Sequence, residues 1–77
     1  MLVFVVSGCP HCDALLADLA RRRVSYSHVD LRTHPEALEQ LGKHTRERKV
    51  PVVVDHEIVS VGFRGRASEL SALGISS

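Results

Sequence analysis

Apolar residues run without a break from Leu2 to Val6, the pattern of a short strand buried on both faces. The period then changes. From Asp13 to Arg23 the apolar positions Leu15, Leu16, Leu19 and Ala20 return at helical spacing, with Asp13 and Asp18 off that face. Ser7 and Gly8 supply the turn between the two. The helix is predicted to start with Cys9 as N-cap and Pro10 at the first helical position, where a missing amide hydrogen costs nothing. Arg21, Arg22 and Arg23 suit its negative end. Ser25 to Leu31 alternates and reads as a second strand, parallel to the first because a helix separates them. Thr33 and Glu36 have capping-box spacing, and Pro35 falls in the first turn of a second helix that buries Leu38 and Leu41 and ends near Gly42. Val50 to Val54 is a third strand, and Asp55-His56 is a short link to a fourth, Glu57 to Val61, which makes the pair an antiparallel hairpin. Gly62 to Gly65 turns the chain, and Ala67 to Leu73 is predicted as a third helix with Leu70 and Leu73 inward. The predicted order is β-α-β-α-β-β-α.

At 77 residues this is one domain, 1–77, with little room for a second site. Its 44% hydrophobic and 25% charged content is that of a globular soluble chain. A net charge of +1 argues against a dedicated nucleic-acid or membrane binder. The first apolar run is too short for a membrane span and lacks the basic start of an export signal, so the expected compartment is a reducing cytoplasm and the expected state a monomer.

In that compartment the two cysteines change the picture. Both stand in Cys9-Pro10-His11-Cys12, on a strand-to-helix turn. A pair so close is catalytic or metal-binding rather than a structural staple, because so small a loop restrains the unfolded chain little. Surrounded by βαβ patterning, the spacing reads as a thiol–disulfide exchange motif. Cys9 at the helix start is the expected nucleophile, since free amide hydrogens and the helix dipole favour negative sulfur there. Cys12, one turn further in, is expected to be less exposed and to act as the resolving thiol. Zinc is the rival use, but there is no second CxxC. Asp13 excludes a c-type haem, which needs histidine there.

The element order, the CPHC turn and the Val50-Pro51 dipeptide together resemble a glutaredoxin, the smallest version of the thioredoxin fold, over essentially the whole chain. The resemblance implies a four-stranded mixed sheet with three helices and a cis peptide before Pro51, facing the cysteines. It implies that the Val50 backbone pairs with an extended substrate, an instance of strand addition. It also implies disulfide-containing protein substrates, glutathione as a co-substrate and no bound cofactor or metal. The departures are specific. His11 stands where dithiol members usually have tyrosine, Lys49 where they have threonine before Val-Pro, and Val6 where they tend to have lysine. The Gly-Gly-x-Asp segment that grips the glutathione amino group becomes Gly62-Phe63-Arg64-Gly65, without the aspartate. Arg48 matches a basic position used near the glutathione carboxylate. Gly62-Phe63-Arg64 is instead similar to ribonucleotide-reductase redoxins, which take electrons from thioredoxin reductase. The Pro10-His11 pair resembles that of oxidising periplasmic enzymes, where it helps stabilise the thiolate; the plainer reading of His11 is a solvated loop residue. An iron–sulfur or metal carrier using the same thiols, and a redox-inert binding module, stay open as other uses of the fold.

Overall fold

Strand β1, Leu2–Val5, owes its composition to its place: Val3, Phe4 and Val5 are all buried, so both of its faces are covered. The computed structural model describes residues 1–75. Helix α1, Pro10–Arg21, buries Cys12, Leu15 and Leu19 at spacings of three and four residues, and Leu16 is half-buried. Ala20, expected on that face, is exposed, because it lies about 100° around the helix from Leu19. The helix closes with Arg23 in the left-handed region (φ 58°), Arg23 N–H donating to the Ala20 carbonyl at 3.1 Å and Val24 N–H to that of Leu19 at 3.0 Å. The basic end is paired: Arg22 sits 2.9 Å from the Asp18 carboxylate, which Arg21 also contacts.

Strand β2, Ser27–Asp30, runs parallel to β1 in the register Leu2↔Ser27 to Val5↔Asp30, as a helical crossover requires. Helix α2, Ala37–His44, buries Ala37 and Leu41. The capping box predicted at Thr33 and Glu36 does not form. The Thr33 hydroxyl donates to the Asp30 carbonyl at 3.3 Å, and two i→i+3 turns, Ala37 to His34 and Leu38 to Pro35, occupy the first amides instead.

The single strand expected from Val50 to Val54 is two strands. Pro51 has no amide hydrogen to continue a ladder. Strand β3, Lys49–Val50, ends before it, and strand β4, Val52–Asp55, begins after it; the Val50-Pro51 peptide is cis. Strand β5, Ile58–Val61, completes the predicted hairpin with β4, which also pairs antiparallel to β1. The result is the expected four-stranded mixed sheet, in the order β2-β1-β4-β5.

The third helix is absent. Where Ala67 to Leu73 was predicted helical, strand β6, Ser68–Glu69, pairs antiparallel with β3, and a single 3-10 turn follows over Ser71–Leu73. So short a segment cannot offset the cost of helix nucleation by itself. Pairing with β3 satisfies its backbone at once, and Leu70 N–H continues it by donating to the Arg48 carbonyl at 2.9 Å. The fold therefore has two α-helices. Leu70 is buried as expected and Leu73 half-buried. No helix among the described residues is long and apolar enough to cross a membrane.

The antiparallel register Phe4↔Val52, carried one residue on, puts Pro51 opposite Val5. The chain leaving β1 towards Cys9 and the chain entering β4 through Pro51 thus lie at one end of the sheet, beside the start of α1.

Candidate active site

Cys9 is the N-cap of α1, as the sequence predicts. Its backbone is extended (φ −89°, ψ 111°), its carbonyl accepts the first helical hydrogen bond from Asp13 at 3.1 Å, and its Sγ accepts from Cys12 N–H at 3.2 Å. Pro10 occupies the first helical position. An amide hydrogen aimed at sulfur from a helix start favours charge on that sulfur. Both cysteines are free thiols. Burial pushes the Cys12 thiol well above the usual thiol range, and a side-chain hydrogen bond to Cys9 adds to the rise. Cys12 keeps its proton while Cys9 accepts a hydrogen bond. The expectation that Cys12 would be the less exposed sulfur does not hold: Cys9 is 0% and Cys12 1% accessible. The two differ in hydrogen bonding, not in burial.

Sequence reasoning missed what holds the turn before Cys9. Ser7 N–H donates to Asp30 Oδ1 at 3.2 Å, and the Ser7 hydroxyl donates to Asp30 Oδ2. The Ser7 carbonyl accepts from Arg32 Nε and Nη2 at 3.2 and 3.1 Å, and the same Nη2 reaches the Leu73 carbonyl at 2.8 Å. Every polar group of Ser7 is therefore held by a side chain from the end of β2 or from the segment just after it. One signal for this was available: the parallel pairing of β1 and β2 brings the end of one strand beside the end of the other, and Asp30 is the acidic residue there.

Desolvation works against the Asp30 carboxylate, but hydrogen bonds from the Ser7 hydroxyl and the Arg32 and Ser7 amides, with the Arg32 charge, hold it below its ordinary value. A depressed folded-state value contributes stability above the unfolded value, and that contribution is lost as pH falls through the folded one. Asp30→Asn is expected to lower Tm by about 5 °C near neutral pH, and the gap from the parent should close as pH falls through roughly 4 to 3. Thermal unfolding across that range measures it; a gap that persists or widens in acid would show that Asp30 does not act as a carboxylate here.

The other predicted site residues divide between three places. His11 and Lys49 line a groove of about 440 Å³ with Glu47, Gly65 and Arg66. Arg48 lies elsewhere: with Lys49, Glu69 and Leu70 it lines a second groove of about 580 Å³. Arg64 is turned towards α1, with its guanidinium 5.2 Å from the Phe63 ring and 3.9 Å from the Asp18 carboxylate. Phe63 packs half-buried against the core. Gly62 N–H donates to the Pro51 carbonyl at 2.7 Å and ties this turn to the proline. Gly62 has φ 92°, and a Cβ there would stand 2.8 Å from the Arg66 carbonyl oxygen, so only glycine fits. Pro51 and Val50 are buried, and Val50 is paired with Ser68. In this state the Val50 edge is occupied by β6. No three histidine, cysteine or acidic side chains gather as an ion-holding group among the described residues.

Comparison with known proteins bears on this arrangement. The Glutaredoxin family model matches residues 1–59. The crystal structure of a glutaredoxin from Archaeoglobus fulgidus superposes with a TM-score of 0.72 at 23% identity, over 96% of this chain and 82% of that one, a likeness of fold. No curated protein matches the chain significantly.

Proposed function

The chain belongs to the glutaredoxin family and is by that membership a thiol–disulfide oxidoreductase, and on that premise we propose that Cys9 and Cys12 reduce protein disulfides and glutathione mixed disulfides. The observation that carries the reading is the asymmetry of the pair: of two equally buried sulfurs, it is Cys9 Sγ that accepts the helix-start amide, at 3.2 Å. The Cys9 thiolate attacks one sulfur of the substrate disulfide. The substrate S–S bond breaks, a Cys9–substrate S–S bond forms, and the departing sulfur takes a proton. Cys12 then loses its proton and attacks Cys9 Sγ, releasing the second substrate thiol and leaving a Cys9–Cys12 disulfide. Two electrons pass from the chain to the substrate; Cys12 supplies one of the two protons the substrate thiols take up and solvent supplies the other, the one Cys9 gave up on ionising. The elevated proton affinity of Cys12 keeps it from attacking before the mixed disulfide has formed, so the order of the two steps is built into the pair.

The oxidised pair must then be reduced from outside, in this reading within a reducing cytoplasm and by a partner acting on the monomer. Two glutathione thiols are one source. The dithiol of a thioredoxin reductase is the other, and the segment after β5 favours it, because Gly62 to Arg66 contributes no carboxylate beside the cysteine turn to hold a glutathione ammonium. Oxidised protein offered glutathione with glutathione reductase, or NADPH with thioredoxin reductase, distinguishes the two by the rate at which NADPH is consumed. Faster reduction by the reductase alone is expected. Reduction by neither, together with iron or zinc in anaerobically purified protein, would replace the oxidoreductase reading with that of a cluster or metal carrier.

A further inference from the structure

Three elements meet at the groove beside the cysteine turn. α1 contributes His11 from its first turn, the approach to Pro51 contributes Glu47 and Lys49, and the turn after β5 contributes Gly65 and Arg66. The last of these is held firmly. Phe63 N–H donates to the Arg66 carbonyl at 2.7 Å, Arg66 N–H returns to that of Phe63 at 3.0 Å, and Gly62 is bonded to Pro51. The turn thereby divides its two arginines: Arg64 goes to Asp18 and Phe63 on the α1 side, and Arg66 goes to the groove.

With histidine neutral, the groove carries Lys49 and Arg66 against Glu47, a net positive charge. Among the described residues neither cation has an ion-pair partner, whereas Arg21, Arg22 and Arg64 all have Asp18. An unpaired guanidinium on a backbone held this firmly, in the groove that His11 of the cysteine turn also lines, is fitted to a carboxylate on the substrate. We propose that this groove selects protein disulfides with an aspartate or glutamate beside the half-cystine, and that Arg66 is the residue that reads it. This rests on the reading that Cys9 and Cys12 reduce disulfides. The substrate acid lies along the groove against Arg66 and Lys49 while its cystine meets Cys9. Glutathione offers carboxylates too, but also an ammonium, which two free cations disfavour.

The test uses the full reduced chain and three synthetic cystine peptides that differ only in the residues flanking the half-cystine: Glu, Gln or Lys. The readout is the single-turnover rate of dithiol oxidation. The Glu peptide is expected to react on the order of tenfold faster than the Lys peptide at low salt, with Gln between, and the spread should narrow as salt is added. Arg66→Glu should reverse or erase the order and Arg66→Gln should halve the spread. Because the order is a ratio between peptides, any common change in rate cancels. Lys43→Glu, the same charge reversal on α2 and outside the groove, should keep it. Equal rates for the three peptides in the parent chain, or an order that survives Arg66→Glu, would overturn the proposal. Oxidised glutathione reacting as fast as the Glu peptide would overturn the assignment to protein segments. Failure to oxidise with any disulfide would instead sink the oxidoreductase reading on which this rests.

Discussion

Cys9→Ser is expected to abolish disulfide reduction, a loss on the order of a thousandfold or more, because a hydroxyl at the N-cap can accept the Cys12 amide but cannot form the mixed disulfide. Cys12→Ser should behave differently. It keeps the capped sulfur at position 9, attacks once, and accumulates a one-to-one mixed disulfide with its substrate that an added small thiol releases. Mass spectrometry of each variant after exposure to a cystine peptide distinguishes the two outcomes. The opposite pattern, with Cys9→Ser trapping substrate and Cys12→Ser inert, would reverse the roles derived from the hydrogen bond that Cys9 Sγ accepts. Equal burial of the sulfurs makes this a sharp test, since exposure cannot be what separates them.

The second large effect lies in the core. Phe4 is fully buried on β1, between β2 and β4 in the sheet, where it is paired with Val29 on one side and Val52 on the other. Removing such a ring costs about 3–5 kcal/mol, the transfer term plus the cavity left behind. A domain of this length has roughly 4–12 kcal/mol in total. Phe4→Ala should therefore remove roughly a quarter or more of the total and shift the unfolding midpoint far down in denaturant, while Phe4→Leu shifts it less and retains a cooperative transition. Urea unfolding followed by circular dichroism measures both. A loss below about 1 kcal/mol for the alanine variant would mean that the core closes over the gap, contrary to the dense packing of this strand.

Much of this architecture could be read from local pattern. Five unbroken apolar residues announced a doubly covered strand, and a cysteine-proline step announced a capped helix start. Both are short-range facts about sterics and amide hydrogens. The errors arose where a distant partner decided the outcome. Ala67 to Leu73 has helical spacing of leucines, but the open edge of Lys49 and Val50 captures its backbone first. Thr33 has a capping position, but the Asp30 carbonyl takes its hydroxyl. The site followed the same rule. Cys9 and Cys12 were visible as a pair, whereas the Ser7–Asp30–Arg32 brace spans separations of 23 and 25 residues and no local window contains it. The segment from Gly62 to Arg66 was recognisable as a turn, but only the folded chain separates the roles of its two arginines.

The brace has a bearing on ancestry. One carboxylate holds both the amide and the hydroxyl of Ser7, and one guanidinium holds its carbonyl. Positions 7, 30 and 32 then form a single coupled unit, in which a change at one alters which residues suit the others. In descendants of this chain, loss of the acid would remove the reason to keep the serine, and the redox loop would be free to find a different anchor.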